Sequence, residues 1–143
     1  MKKSTQEILT GLAIGLIISI LFFAKLAFGA ELSESDVEML ENVTYLEAGN
    51  QDLVGKRLVV SVILNRVDSE EFPDTVSEVL SQENQFTTYR HLNNASPTWQ
   101  DKLAVQLEQE RRLNTGVYFF RAGHYGYGEP LFRYGDHYFS TIK

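Results

Sequence analysis

Residues 36–50, DVEMLENVTYLEAGN, carry the pattern from which the rest of the fold is predicted. Val37, Leu40 and Val43 recur at helical spacing, so this stretch predicts an α-helix with one face on the core. Continuing along that face places Glu47 where an apolar side chain is expected. A carboxylate buried there costs several kcal/mol unless it is paired, so it tends to keep its proton or to find a partner.

We therefore interpret Glu47 as a candidate general acid, because a carboxyl that is still protonated near neutral pH can donate its proton to a substrate. The alternative is that Glu47 is only a boundary residue. Gly49 lies two positions later, and a helix that ends there would let the Glu47 carboxyl reach water.

Two long helices are predicted in this half of the chain. Ser33 or Ser35 can cap the first, which runs to about Ala48, and Asp52 can cap a second that runs through Val67. Apolar residues cover most of the circumference of the second segment, which is typical of a segment buried on nearly all sides. Its length without a turn signal favours a helix, and we expect it to be the central helix of the core.

The rest of the chain predicts shorter elements. Thr75 to Glu78 has the form of a capping box for a helix to about Leu80, and residues 81–94 are predicted to be a surface loop. A further helix is expected from Ser96 and Pro97 to about Arg111, with Trp99, Leu103, Ala104 and Leu107 on its inner stripe. Residues 117–120 and 137–140 predict two strands that can pair antiparallel, separated by a glycine-rich loop at 123–135. The predicted fold class is α+β, mainly helical with a small C-terminal antiparallel β element.

The N-terminus has the pattern of an export segment. Lys2 and Lys3 precede an uncharged, mostly apolar run from Ile8 to Ala24, and small residues follow before Glu31. The run is at the low edge of the length that spans a bilayer, so residues 1–30 are interpreted as a signal peptide or an N-terminal membrane anchor. Both interpretations place residues 31–143 outside the cytoplasmic membrane, either secreted to the cell wall or tethered to the membrane.

Composition excludes several classes of function. The 143 residues include no cysteine, which excludes disulfides, thiolate zinc sites and a cysteine nucleophile. The formal net charge is −6, and residues 1–30 hold three of the lysines and one glutamate, so the remainder is more acidic still. Nucleic-acid binding relies on Lys and Arg that neutralise phosphates, and we therefore expect no nucleic-acid partner.

Several short motifs in a fixed order resemble the spore-cortex-lytic and cell-wall hydrolase family of the SleB type. These motifs are YLEA at 45–48, VSVILNRV at 60–67, FPDT at 72–75, QF at 85–86, GVYFF at 116–120 and DHYF at 136–139. The resemblance covers about residues 40–139. One departure is that the family commonly continues after Glu-Ala with Arg-Gly-Glu, whereas this chain has Gly49-Asn50-Gln51, so that a neutral amide replaces a second carboxylate.

The resemblance implies a lysozyme-like domain that cuts the peptidoglycan glycan strand between N-acetylmuramic acid and N-acetylglucosamine. It implies the lytic transglycosylase reaction, which needs one carboxyl group and no cofactor and leaves 1,6-anhydro ends. Glu47 is then the catalytic acid and base. A hydrolytic glycosidase needs two carboxylates, and the amide at Gln51 therefore favours the lytic route. The expected partner is the peptidoglycan glycan strand, and we expect a monomer.

The candidate substrate-binding residues are Tyr45, Gln85, Phe86, Tyr118, Phe119 and His137. Each also has a plain structural interpretation, such as core packing for the aromatic residues. Alternatives to the lytic enzyme are a hydrolytic muramidase, a non-catalytic wall-binding module, and a zinc amidase built on His91, His124 and His137. Those histidines lack the spacing of a metal motif, and we predict no metal site.

Overall fold

The computed structural model describes residues 31–143, so the predicted export segment at 1–30 lies outside the described residues. In the described part, helices α1, α2, α3 and α4 span Glu34–Ala48, Leu53–Val67, Val76–Ser81 and Trp99–Glu110, a 3-10 helix spans Thr87–Asn94, and strands β1, β2 and β3 span Phe119–Ala122, Glu129–Tyr134 and His137–Thr141. None of these helices is long and apolar enough to cross a membrane. The predicted α+β fold class is confirmed.

The caps of α1 and α2 are those that the sequence predicts. The Ser33 hydroxyl accepts a hydrogen bond from the Asp36 N–H at 3.1 Å, and the Asp36 carboxylate accepts one from the Ser33 N–H at 3.0 Å. The Asp52 carboxylate accepts from the Gly55 N–H at 2.9 Å. These side chains satisfy N–H groups that a helix start leaves without partners, so both helices begin where local chemistry directs.

Helix α2 is the central helix, as predicted. All of its residues from Leu58 to Arg66 are buried, including the polar residues Ser61 and Asn65. The Asn65 amide donates to the Val117 carbonyl at 2.8 Å, and this bond ties α2 to the chain just before β1. Because a buried polar side chain needs partners, each of these residues fixes a neighbouring element to α2.

The three strands form one antiparallel sheet in the order β1-β3-β2. The predicted pairing of the first and last strands is confirmed, with Phe120 opposite Phe139. Leu58 and Val62 of α2 pack with Phe139, so one face of the sheet lies on the central helix. This packing brings the end of the chain next to the end of α1.

Helix α4 differs from its prediction. Thr98, not Ser96, is its N-cap, and the Asp101 carboxylate accepts hydrogen bonds from both the N–H and the hydroxyl of Thr98 at 2.7 Å. Trp99 is 68% exposed and does not belong to an inner stripe. The face that α4 turns to the core contains Asp101 and Glu108 because these acids bind polar side chains of α2.

The structure also has two elements that the sequence did not predict. The 3-10 helix Thr87–Asn94 lies within the predicted surface loop, and it has no buried residue and only Tyr89 and Leu92 as large apolar side chains, too few to reveal it. Strand β2 lies within the predicted glycine-rich loop. Gly128 and Gly135 have positive φ and turn the chain at the two ends of β2, so the glycines mark turns and not one long loop.

A buried ion pair joins α2 to α4. Lys56 Nζ lies 2.6 Å from Asp101 Oδ1, and the two side chains are 2% and 0% exposed. Lys56 Nζ also donates to the Ala48 carbonyl at the end of α1 at 3.0 Å. Burial alone raises the pKa of Asp101, but the hydrogen bonds from Lys56 and Thr98 outweigh it and hold that pKa below its usual value.

Asp101→Asn is expected to destabilise the domain by about 3–5 kcal/mol, because it leaves the Lys56 ammonium buried without a counter-charge. Urea unfolding followed by circular dichroism measures the effect. Asp68→Asn is the control, since the Arg112–Asp68 pair is partly exposed and its loss costs about 0–1 kcal/mol. Equal effects of the two substitutions would show that the buried pair does not hold the core together.

Candidate active site

A cavity of about 540 Å³ lies where the end of α1, the segment before the 3-10 helix and the sheet come together. Its lining includes Glu47, Arg66, Asn84, Gln85, Phe86, Thr87, Phe119, Phe120, Arg121, Ala122, Gly126, Tyr127, His137, Tyr138 and Ser140. Glu47 is the single acidic side chain among these residues. The site is therefore a concave, partly aromatic pocket with one carboxyl group, which fits the general form of ligand sites.

Glu47 is half-buried at the wall of this cavity and has one hydrogen-bond donor among the described residues. The Thr88 hydroxyl, on the 3-10 helix, donates to Glu47 Oε1 at 2.5 Å. Burial raises the pKa of the Glu47 carboxyl above its usual value, and the Thr88 hydrogen bond opposes that rise without cancelling it. The carboxyl therefore keeps its proton to higher pH than an exposed glutamate does.

The position of Glu47 depends on how the last turn of α1 is held. The buried Lys56 ammonium donates to the carbonyl of Ala48, the residue next to Glu47. A cation at the negative end of a helix is favourable, and here it shares the Ala48 carbonyl with the Gln51 N–H, which donates to the same oxygen at 3.0 Å. The carboxyl is thus carried on a helix end that is fixed to the core.

Arg66 enters the cavity from α2 inside a group of aromatic rings. Its guanidinium carbon lies 5.1 Å from the ring centroids of Phe72 and Phe119 and 5.4 Å from that of Phe86. No carboxylate within residues 31–143 pairs with it, and burial lowers its pKa to about 10. Arg66 therefore remains a cation at neutral pH, stabilised by ring faces.

Arg66 also positions two walls of the cavity. Its Nε donates to the Tyr118 carbonyl at 2.7 Å, and one terminal nitrogen donates to Gln85 Oε1 at 3.0 Å. The other terminal nitrogen is buried and has no partner among the described residues. Since Gln85 accepts from Arg66, the Gln85 amide nitrogen is the group that is left to bind a ligand.

His137 lies on β3 with its ring edge-on to Phe120, at a centroid distance of 5.0 Å. Its Nδ1 is buried and has no hydrogen-bond partner among the described residues. Burial lowers the pKa of His137, although the charge of Asp136 acts in the opposite direction. The ring is therefore neutral at pH 7, and a neutral imidazole can both donate and accept a hydrogen bond.

The structure brings together most of the residues that the sequence predicted for the site. Glu47, Gln85, Phe86, Phe119 and His137 all line the cavity. The remaining two do not: Tyr45 is half-buried on α1 outside the cavity lining, and the Tyr118 ring stacks on Phe72 with centroids 6.0 Å apart. Their predicted role in substrate binding stays a prediction, since neither belongs to the cavity lining.

The lining and supporting residues that were not predicted for the site include Thr88, which binds Glu47, and the two cations Arg66 and Arg121. Thr88 had no signal of its own, because it is one of several small polar residues in a mostly polar stretch. Arg66 had one weak signal, since a charge that interrupts the apolar pattern of a central helix must have a buried partner or a site to face. Arg121 follows an apolar strand and is not distinguishable from a solvated surface residue by sequence.

Gln51, at the position of the second family carboxylate, does not line the cavity. Its amide nitrogen donates to Asp136 Oδ2 at 3.1 Å and to Asn50 Oδ1 at 2.9 Å, and Asn50 in turn donates to the same Asp136 oxygen at 2.9 Å. The Asp136 N–H donates to Gln51 Oε1 at 3.3 Å. Gln51 therefore fastens the β2–β3 turn to the loop between α1 and α2.

The histidines of the zinc alternative are not brought together. His91 and His124 are exposed, on the 3-10 helix and on the loop before β2, whereas His137 is buried on β3. Residues 31–143 contain no group of three or more His, Cys, Asp or Glu side chains that could hold a metal ion. The three histidines therefore do not form a shared site in this part of the chain.

Comparison with known proteins identifies relatives that match part of this chain. The spore cortex-lytic enzymes of Oceanobacillus iheyensis and Bacillus cereus are 42% and 40% identical to it over 55 residues, which is 38% of this chain. The matched stretch spans about a fifth of each curated relative, 20% and 21% of their lengths.

Solved structures show the same fold. The catalytic domain of the germination-specific lytic transglycosylase SleB from Bacillus anthracis superposes with a TM-score of 0.67 at 26% identity, covering 78% of this chain and 98% of that domain. The catalytic domain of Bacillus cereus SleB gives 0.68 at 24% identity, with 78% and 94% covered. The model of the family described as Cell Wall Hydrolase matches residues 50–140. The chain belongs to this SleB-type cell wall hydrolase family.

Proposed function

We propose that the chain is a peptidoglycan-cleaving enzyme that cuts the bond between N-acetylmuramic acid and N-acetylglucosamine as a lytic transglycosylase. Membership of the cell wall hydrolase family supports the substrate. The observation that carries the reaction type is Glu47, the single carboxyl of the cavity, with a raised pKa. We also propose that residues 31–143 are the catalytic domain, monomeric, and that residues 1–30 direct it out of the cytoplasm.

One carboxyl group is sufficient for this reaction. Protonated Glu47 donates its proton to the glycosidic oxygen as the bond from that oxygen to the muramic acid C1 breaks. The resulting carboxylate then removes the proton of the muramic acid C6 hydroxyl, whose oxygen forms a bond to C1. The product has a 1,6-anhydro ring, no water is consumed, and Glu47 ends with the proton it started with.

The absence of a second acid in the cavity lining distinguishes this route from hydrolysis. Glycosidases that use water place a second carboxylate about 5–5.5 Å from the first for retention or about 6.5–9.5 Å for inversion. The described lining has no second acid, and Gln51 is neutral and turned toward Asp136. A hydrolytic reaction at this cavity would therefore have no second carboxylate in the described lining to activate a water molecule.

Thr88 fits the role of a positioning residue for the Glu47 proton. Because the Thr88 hydroxyl donates to Oε1, the acid proton is favoured on Oε2, and one oxygen of the carboxyl is reserved for the substrate. The same hydrogen bond stabilises the carboxylate that forms after proton donation. Thr88 thereby serves both halves of the reaction without touching the sugar.

Glu47→Gln is expected to lower the rate of lysis of purified wall sacculi by about 10²–10⁴-fold, because the amide has no proton to donate. Sedimentation should show that the variant still binds sacculi. Glu41→Gln, on the same helix but outside the cavity lining, should lyse normally. Mass spectrometry of wild-type products should give anhydro ends.

Other products would identify the other candidate functions. Reducing ends would show a hydrolytic muramidase, free stem peptides would show an amidase, and binding without any soluble product would show a wall-binding module. Any of these outcomes rejects the transglycosylase proposal.

Thr88→Val is expected to raise the pKa of Glu47 further, because the hydrogen bond that favours the carboxylate is lost. Since the acid must be protonated to start the reaction, the alkaline limb of the pH–rate profile should move to higher pH. A carboxyl-carbon NMR titration reads the pKa directly. Thr88→Ser should keep the wild-type value, and so should Thr87→Val, which alters the neighbouring cavity residue. If the pKa of Glu47 is unchanged in Thr88→Val, Thr88 does not position the Glu47 carboxyl.

Gln51→Glu tests whether a second carboxylate at this position helps. We expect no gain in activity and a loss of about 1–2 kcal/mol of stability at pH 7, because the new carboxylate faces Asp136 where an amide donor was. Unfolding at pH 7 and pH 4 should show a smaller loss in acid. Adding Asp136→Asn should restore stability, since an amide then faces the new carboxylate. Faster lysis by Gln51→Glu would contradict this account.

A further inference from the structure

Among residues 31–143, no strand pairs with the outer edge of β1, and this edge opens into the Glu47 cavity. The order β1-β3-β2 gives β1 one neighbour, and the Gly123 N–H donates to the Asp136 carbonyl at 3.2 Å. In an antiparallel ladder the pairing alternates, and the register of β1 on β3 therefore points the N–H and C=O of Phe120 and Ala122 away from β3. Both residues line the cavity.

The outward N–H and C=O groups of Phe120 and Ala122 have the spacing of the backbone groups of an extended peptide. Phe120 and Ala122 are two residues apart, a separation of about 6.6–6.8 Å along a strand, and a peptide that adds to a sheet edge presents its own groups at the same interval. The acetamido group of one sugar offers a single N–H and a single C=O. The edge therefore has more hydrogen-bonding capacity than a sugar ring uses.

The charge of the same cavity favours an anionic ligand. Its lining contains Arg66 and Arg121 against the single carboxyl of Glu47, in a chain whose formal net charge is −6. Arg121 is exposed and forms no ion pair with any described residue, and its stem lies close to Gly126, where an added Cβ would come within 3.3 Å of the Arg121 Cδ. This cation is thus held at the cavity without an internal counter-ion.

We propose that the outer edge of β1, with Arg121, binds the acidic stem peptide that is attached to the muramic acid of the substrate. The peptide adds as a short antiparallel or parallel strand to Phe120 and Ala122, and one of its carboxylates pairs with Arg121. The inference rests on the proposed function, since it names the part of peptidoglycan that this site recognises besides the sugar chain. Its consequence is a preference for glycan that still carries stem peptides.

The test compares two substrates made from one preparation of solubilised glycan strands, one with intact stem peptides and one stripped of them by an amidase. Wild type should cut the peptide-bearing strands about tenfold faster at subsaturating concentration. Arg121→Gln should lower the ratio of the two rates toward one. Arg133→Gln should keep the ratio, because Arg133 lies over the ring of Tyr138, with its guanidinium carbon 5.4 Å from the ring centroid, but does not line the cavity.

Ala122→Pro tests the strand edge itself. It removes an N–H that the ladder does not use, and Pro is tolerated at such edge positions. It should also lower the ratio, and circular dichroism reports whether the fold is kept. If this variant does not fold, Arg121→Gln alone decides. Equal rates of wild type on the two substrates would overturn the proposal, as would an equal loss on both substrates in the variants, which indicates acetamido binding.

A binding readout separates this inference from the proposed reaction. A muramyl peptide added to the Glu47→Gln variant should shift the amide NMR signals of Phe120 and Ala122, while the unsubstituted amino sugar should not. These shifts without any wild-type cleavage would reject the transglycosylase proposal and keep the peptide site. Cleavage that gives anhydro products, without these NMR shifts, would support the transglycosylase proposal and reject the peptide site.

Discussion

The buried pair of Lys56 and Asp101 is the interaction on which the site depends. It places a cation among the ends of three helices, where one ammonium binds the Asp101 carboxylate and the Ala48 carbonyl. Such a pair contributes little net stability over a well-packed apolar core, but losing one partner is costly. Its effect is to fix one register of α1 on α2 and α4. Because Glu47 precedes Ala48, the same contact fixes where the Glu47 carboxyl lies relative to the sheet.

The proposed chemistry and stability act against each other at Glu47. Its pKa is higher in the folded chain than in a solvated one, so the folded state binds the proton more tightly. That contribution to stability is fully present below the unfolded pKa and is lost as the pH rises through the folded pKa. Above the folded pKa the ionised Glu47 carboxyl therefore destabilises the domain, as expected where a side chain is kept for a role other than packing. The Thr88 hydrogen bond limits this cost, and it also leaves one oxygen free for substrate.

What the sequence predicts well is what neighbouring residues determine. The starts of α1 and α2 follow from Ser33 and Asp52, whose side chains cap within three residues. Their lengths follow from the apolar period of α1 and from the long apolar run of α2. The predicted inner face of α4 was wrong at Trp99. That face is set by acidic residues of α4 that bind side chains of α2, and these contacts join residues far apart in the sequence. Strand β2 and Thr88 were missed for a similar reason, since one is defined by pairing with β3 and the other by a hydrogen bond to α1. Five of the seven predicted site residues nevertheless line one cavity, because the segments that carry them all pack against α2.

The loop at residues 49–52 explains how the fold accommodates an amide at position 51. That loop ends the helix that carries Glu47, and it holds the hairpin that carries His137 through Gln51 and through Asp52, which accepts a hydrogen bond from Tyr134 at 2.8 Å. The end of α1 and the β2–β3 hairpin, which form two walls of the cavity, are therefore both held in place by this one short segment. Because the hairpin already presents the negative charge of Asp136, the partner it needs is a donor, and an amide supplies one at any pH while a carboxylate does so only when protonated. A neutral residue at this position is thus consistent with a site that relies on one acid.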